Sequence, residues 1–162
     1  LIAAACVAGS LAAAVAGAHA QAAPALAQHE RPIHDAARTA SRVDVEALLR
    51  ADASQRDVRA PSGATALHYA AMNLDAGPLQ ALLAAGANPN ARDVEGRTPL
   101  HMAAFATRTA NAKLLLRAGA DPHAKTEAGR DVLSMARKVR ADELAGEVSL
   151  WILKGCSKDK PC

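Results

Sequence analysis

The sequence predicts an all-α repeat fold, a solenoid of about four helix-turn-helix repeats joined by hairpin loops. Three observations support this prediction: a motif that recurs at a constant interval, a pair of leucines after each of its first three copies, and a glycine after two of those pairs. A motif with a constant interval of this size is typical of solenoids, whose repeats stack to bury a continuous core. The chain has 162 residues of which only 2% are aromatic, and this excludes a core filled with aromatic side chains.

The recurring motif has four copies. The copies ATALHYAA (64–71), RTPLHMAA (97–104) and RDVLSMAR (130–137) begin at evenly spaced positions. An earlier copy, RPIHDAA (31–37), has its histidine at position 34, so the interval to His68 exceeds the later interval by a single position. The regular spacing indicates one structural unit per copy.

The first helix of each unit is predicted at the start of the motif. Thr98 suits an N-cap, and Pro99 suits the first helical position, where no amide donor is needed. Leu100, Ala103 and Ala104 begin an apolar face on which small side chains let a neighbouring helix approach closely.

The second helix is predicted from leucine pairs that follow the histidine position at the same distance in the first three copies. The pairs are Leu48-Leu49, Leu82-Leu83 and Leu115-Leu116, and they would form an apolar stripe. Gly86 and Gly119 fit the left-handed position that ends such a helix.

The T-P-L-H-x-A-A and L-L-x-x-G-A-D/N patterns closely resemble the ankyrin repeat, and the resemblance covers residues 31–153. It implies repeats at 31–59, 60–92, 93–125 and 126–153. It also implies that the hairpin loops project as fingers around Gly63, Gly96 and Gly129.

Departures from the motif mark the first and last copies as terminal repeats. Asp52 stands where the later repeats have glycine, and Ser134 replaces the histidine. Terminal repeats of a solenoid need a polar outer face, so such departures are expected. We expect an apolar group to close the far end of the stack: Trp151 with Leu150, Ile152 and Leu153.

Residues 1–20 form a separate, alanine-rich segment without Asp, Glu, Lys or Arg, and it ends in Ala18-His19-Ala20. An apolar run with an A-x-A end is typical of a secretory signal peptide, so we expect cleavage before Gln21 and a bacterial protein in the periplasm or secreted. Two alternatives are a retained helix and lipidation at Cys6. Residues 21–30 are interpreted as a flexible lead and 154–162 as a basic tail.

Export would leave two cysteines, Cys156 and Cys162, close together in that tail. In an oxidising compartment such a pair favours a disulfide, which would fasten the tail rather than hold the fold together.

Catalytic and cofactor motifs are not found in the sequence. The resemblance implies that His34, His68 and His101 have a structural role, hydrogen-bonding within and between repeats. Neighbouring repeats lie about 8–10 Å apart, too far for these three side chains to share one metal ion. We therefore expect a protein that is not an enzyme and has no cofactor.

The resemblance implies that a partner protein binds the concave face, built from the fingers and the first helices. The positions carried over are Arg38, Met72, Asn73, Arg92, Val94, Glu95, Arg97, Phe105, Lys125, Arg130 and Lys138, together with Thr39, Pro61, Ser62, Ala64 and Glu127. This surface is basic with a few apolar members, and its alternative interpretation is a solvated face of random charge.

The leading hypothesis is therefore a protein-binding module in the periplasm. The chain also looks similar in size and layout to exported bacterial ankyrin proteins associated with protection from oxidative stress, and this resemblance implies that role as a candidate. The alternative is a secreted effector or an inhibitor that neutralises a toxin. Nucleic-acid binding is disfavoured because aromatic residues that could stack on bases are nearly lacking. We expect a monomer without a membrane span in its mature part.

Overall fold

The computed structural model describes residues 31–157 and 159–160. Within these residues the chain forms eight α-helices and no strand, which confirms the predicted all-α solenoid. The helices come in four pairs: α1 (Pro32–Thr39) with α2 (Arg42–Ala51), α3 (Ala66–Met72) with α4 (Gly77–Ala84), α5 (Pro99–Phe105) with α6 (Thr109–Arg117), and α7 (Val132–Lys138) with α8 (Asp142–Leu153). The first helices pack in the order α1, α3, α5, α7, while α2 packs on α4 and α6 on α8.

A tight hairpin precedes the helix pair of each of the last three repeats. Its closing hydrogen bonds run from the N–H groups of Ala60, Asp93 and Thr126 to the carbonyls of Ala64, Arg97 and Arg130. Gly96 adopts a φ of +71°, and a Cβ there would lie 2.7 Å from the Arg92 guanidinium and 2.9 Å from the Glu127 nitrogen. Only glycine fits at this turn, because both the backbone angle and the neighbouring finger exclude a side chain.

The ends of α4 and α6 follow the predicted pattern. Gly86 and Gly119 have φ values of +83° and +93°. The residue after each glycine donates its N–H to the helix, Ala87 to the Leu82 carbonyl and Ala120 to the Leu115 carbonyl. This geometry satisfies carbonyls that the helix end would leave unpaired. In the first repeat, α2 instead ends before Asp52 and is followed by a 3₁₀ helix, Ala53–Asp57.

The core consists of leucine and alanine contributed by every repeat. Leu67, Leu82, Leu100 and Leu115 are completely buried, and so are the paired alanines of α3 and α5. Small side chains between the first helices and leucines on the second helices fill the space without aromatic residues, as the composition predicts.

The predicted closure of the far end is partly wrong. Trp151 is buried and Ile152 packs partly against the core, but Leu150 is 50% exposed and Leu153 is 81% exposed. The buried face of α8 is set by Leu144, Val148 and Trp151. Leu150 and Leu153 lie away from this face, because a turn of helix takes 3.6 residues.

Several predictions concern residues at the two ends of the chain. The signal peptide (1–20), the flexible lead (21–30) and Cys162 lie outside the described residues, so these predictions stay untested. Cys156 is partly buried against the core. In the part of the chain that the structure describes, no helix has the length and apolar character needed to span a bilayer.

Candidate functional site

Buried histidines connect each repeat to the next and so shape the concave face. The Nδ1 atom of His101 accepts a hydrogen bond from the backbone N–H of Thr98 at 3.2 Å, and its Nε2 lies 3.3 Å from the Arg130 carbonyl in the following finger. His68 repeats the arrangement one repeat earlier, with its Nε2 3.0 Å from the Arg97 carbonyl. Since Nδ1 accepts and Nε2 donates, the network assigns a neutral imidazole protonated on Nε2.

His34 makes similar contacts in the first repeat, with its Nε2 2.9 Å from the Val58 carbonyl. These contacts confirm that the repeat histidines hydrogen-bond within and between repeats. Among the described residues, no group of three or more His, Cys, Asp or Glu side chains could hold a metal ion.

Burial lowers the pKa of both His68 and His101, because a charged imidazole loses its hydration inside the protein. The unfolded chain has the ordinary histidine pKa of about 6.5 and therefore binds more protons than the folded chain just below that pH. The stability from these two groups is complete above about pH 6.5 and is lost as the pH falls through the lower, folded pKa.

We therefore expect the free energy of unfolding, measured with urea, to fall between pH 7.5 and pH 5.5. His101→Gln should lower stability at pH 7.5 by about 1–3 kcal/mol and reduce the pH dependence. His123→Gln is the matched control, because His123 lies in a loop outside the core. An unchanged pH dependence in His101→Gln would show that this imidazole does not titrate as its burial requires.

A groove crosses the concave face between the third and fourth repeats. It consists of a cavity of about 140 Å³ and an adjoining cleft of about 250 Å³, which share Glu95, Arg97, Arg130 and Met135. We call it the concave groove, and its wall residues are Val94, Glu95, Arg97, Met102, Phe105, Thr126, Glu127, Ala128, Arg130 and Met135. The fingers supply the polar wall, while α5 and α7 supply the apolar floor.

The two arginines of the groove have different surroundings. Arg97 is half-buried, and its Nε lies 2.7 Å from a carboxylate oxygen of Asp93, whose own side chain is only 1% exposed. Arg97 also pairs with Glu95 at 3.3 Å. Arg130 is exposed, and its guanidinium forms no ion pair with any described residue. Of the two, Arg130 is the cation available to a ligand.

Arginines also tie the fingers to one another. Arg59 donates to the Arg92 carbonyl at 2.6 Å, and Arg92 donates to the Lys125 carbonyl at 2.7 Å. Donor and acceptor are separated by the same length of chain in both bonds, so equivalent residues of successive fingers form a ladder. The Arg92 guanidinium, predicted to meet a partner, is thus engaged with the next finger and with Glu127.

The structure brings together six of the predicted partner-binding residues: Val94, Glu95, Arg97, Phe105, Glu127 and Arg130. The others do not line the groove. Arg38, Met72 and Asn73 lie toward the first repeat, and Lys125 and Lys138 are exposed elsewhere on the last two repeats. Asn73 donates to the Ala37 carbonyl and so serves the contact between repeats.

One predicted surface position is wrong. Ala64 is buried, with 7% of its surface exposed, because it closes the hairpin by accepting a hydrogen bond from the Ala60 N–H. It therefore belongs to the finger's interior.

The sequence patterns miss Thr126 and Ala128 of the groove and also its two methionines, Met102 and Met135. Both occupy the variable position directly after the histidine position of the motif. In the second repeat Tyr69 fills this position, and the Arg38 guanidinium lies 5.5 Å from its ring centroid. The signal that could have found them is the pair of methionines at equivalent positions of successive repeats, since flexible thioethers adapt well to binding surfaces.

Comparison with known families agrees with the geometry. The family model described as ankyrin repeats (3 copies) matches residues 33–126. A search of curated proteins finds no match. The matched region is more than half of the chain and contains three of the four helix pairs, and α7 and α8 continue the same stack. The chain therefore belongs to the ankyrin repeat family.

Proposed function

We propose that the protein is a non-enzymatic binding module that holds a partner protein in the concave groove. Ankyrin repeats generally mediate protein-protein interaction. The main observation that supports this surface is the exposure of Phe105. The residue is 56% exposed and lies beside the two methionines of the groove floor. Together with the methionines, the ring forms an apolar patch with a charged rim, an arrangement that favours an interaction site.

The cavity at Phe105 suits a side chain better than a metabolite. Its volume of about 140 Å³ is below the roughly 300–1,000 Å³ of small-molecule sites. Met102 and Met135 line it together with Phe105. An apolar side chain of the partner would fill this cavity, while the cleft beside it would hold the flanking backbone.

Charge around the groove favours a partner with acidic residues. Arg130 lines both the cavity and the cleft, and Lys125 and Lys138 are exposed on the same two repeats. Complementary charges at the rim of an interface chiefly speed association. Glu95 and Glu127 also line the cleft, and Arg97 is paired with Asp93 and Glu95, so Arg130 is the cation that an acidic residue of the partner would meet.

Phe105→Ala should weaken partner binding by at least about 1–2 kcal/mol, as expected for an aromatic anchor at an interface. The partner is first isolated by capturing it on the purified protein from the source cell's periplasm, and binding is then measured by calorimetry. Stability should change little, because the ring is mostly exposed. Leu74→Ala is the matched control, since Leu74 is exposed in the second repeat and does not line the groove. Equal binding by both variants would exclude the groove as the site.

The proposal for the cellular location and the biological role rests on residues 1–20 and on the resemblance to exported ankyrin proteins. The uncharged, alanine-rich residues 1–20 support export to the periplasm. The layout of the chain is similar to exported bacterial ankyrin proteins associated with oxidative stress, which supports protection of a partner such as a catalase. We expect N-terminal sequencing of the periplasmic protein to begin at Gln21. A cytoplasmic protein that retains residues 1–20 would contradict export.

A further inference from the structure

The outer face of α8 carries an exposed apolar strip at the end of the solenoid. Gly146, Leu150 and Leu153 are exposed and lie on the side of the helix opposite Leu144 and Val148. Leu150 also lines a cavity of about 150 Å³ between α8 and α6. Leu153 is 81% exposed and Leu150 is 50% exposed. A solenoid's last repeat normally presents a polar outer face, so this strip requires an explanation.

Comparison with the preceding repeat shows that the strip is a departure from the pattern. Gly146 and Leu150 occupy the positions of α8 that Lys113 and Arg117 occupy on α6, so each replaces a long cationic side chain. Lys113 extends toward the next repeat and pairs with Glu147 at 2.8 Å. Gly146 is the equivalent of Lys113, so it lies on a side of α8 that can contact a neighbouring helix. At this point α8 has no side chain.

Gly146 is not required by the fold of a single copy. A Cβ at this position would meet no atom within 4 Å. Glycine inside a helix is less stable than alanine, because it loses more backbone freedom when the helix forms. Nothing in a single copy compensates for this loss of helix stability. A helix that crosses close to α8 would place a leucine in the space that Gly146 leaves open.

We propose that the strip binds the same strip of a second copy of this chain, with the two α8 helices crossing antiparallel. In that arrangement Leu150 of each copy enters the hole over Gly146 of the other. A two-fold crossing of this kind is closed, since each copy uses the same surface.

Charge complementarity along α8 favours this occupant. The helix carries Asp142 and Glu143 in its first turn and Lys154 directly after its last residue, and all three are exposed. An antiparallel crossing centred between Gly146 and Leu150 places the acidic turn of one copy opposite Lys154 of the other. A parallel crossing would instead set like charges against each other. The proposed dimer replaces the monomer expected from the sequence.

Sedimentation equilibrium of the purified protein in reducing buffer tests the proposal. We expect the mass to rise from that of one chain toward that of two between about 10 and 500 µM, the range of a small interface. Leu150→Glu and Gly146→Gln should each weaken dimerisation at least about tenfold. Leu74→Glu is the matched control, because it places the same charge at a leucine that is 84% exposed elsewhere. It should dimerise like the parent.

The Gly146→Gln variant separates association from folding. Since the added side chain has open space in a single copy, thermal melting should show stability equal to or above that of the parent while the dimer weakens. Lys154→Glu should also weaken the dimer, and adding Glu143→Lys should restore it.

The proposal is overturned if the parent stays monomeric over the whole range, if it forms assemblies larger than two, or if Leu150→Glu or Gly146→Gln dimerises like the parent. A dimer seen only without reductant would likewise overturn it, since a disulfide would then hold the copies together. Phe105→Ala should leave the dimer intact, so that failure of this proposal and failure of the proposed partner groove can be told apart.

Discussion

Leu115→Ala should lower the free energy of unfolding by about 2–5 kcal/mol, the cost of removing a buried leucine and leaving a cavity. Leu115 lies on α6 and is completely buried in the core of the third repeat. The same core includes Ala103 and Ala104 on the adjoining helix, and alanines cannot rotate to fill the space. We expect the upper part of the range for this reason.

Urea unfolding followed by circular dichroism measures this effect. Leu74→Ala removes the same atoms from an exposed position and should change stability by no more than about 0.5 kcal/mol. A loss below about 1 kcal/mol in Leu115→Ala would mean that the third repeat is less tightly packed than described. Because the third repeat is internal, weakening it should also make the unfolding of the whole array less cooperative.

Arg97→Glu is expected to lower the free energy of unfolding by about 2–3 kcal/mol, whereas Arg130→Glu should change it by no more than about 0.5 kcal/mol. The Asp93 carboxylate is buried and accepts hydrogen bonds from the Arg97 N–H at 2.8 Å and the Arg97 Nε at 2.7 Å. Glutamate would leave this charge unpaired and place a second negative charge beside it. The estimate is below the full cost of breaking a buried pair because Arg97 is 29% exposed.

The two arginine variants separate a structural cation from a binding one. Thermal melts should show a loss of stability for Arg97→Glu and none for Arg130→Glu. Binding kinetics at two salt concentrations should show slower, less salt-dependent association for Arg130→Glu if the partner is acidic. Equal stability of the two variants would show that the Asp93 pair adds nothing to the fold.

The repeat fold could be predicted because its signals are local. A threonine and a proline begin α5, glycines end α4 and α6, and His68 and His101 have their backbone hydrogen-bond partners at the same distances along the chain. These features depend on backbone geometry that recurs in every repeat. Sequence spacing was therefore enough to place the helices and their glycine ends, and the resemblance to the ankyrin repeat supplied the hydrogen-bonding role of the histidines.

The candidate site was less predictable, because the role of a surface side chain depends on its contacts. Arg97 and Arg130 occupy equivalent positions in the motif, yet Asp93 holds the first, whereas Thr126 stands in place of Asp93 beside the second. The apolar character of Leu150 predicts burial, but the side chain is half-exposed at a cavity between α6 and α8. Met102 escapes prediction because the motif leaves its position variable.

The arginine ladder has a consequence for the energetics of recognition. Arg59 and Arg92 fasten each finger to the next, so a force on the finger that contains Arg130 is transmitted to the earlier fingers. A surface built in this way has little freedom left to lose when a ligand arrives, and rigidity before contact lowers the entropic cost of association. Selectivity among ligands would then follow from shape, because moving one finger to fit a ligand would break its hydrogen bond to the next finger.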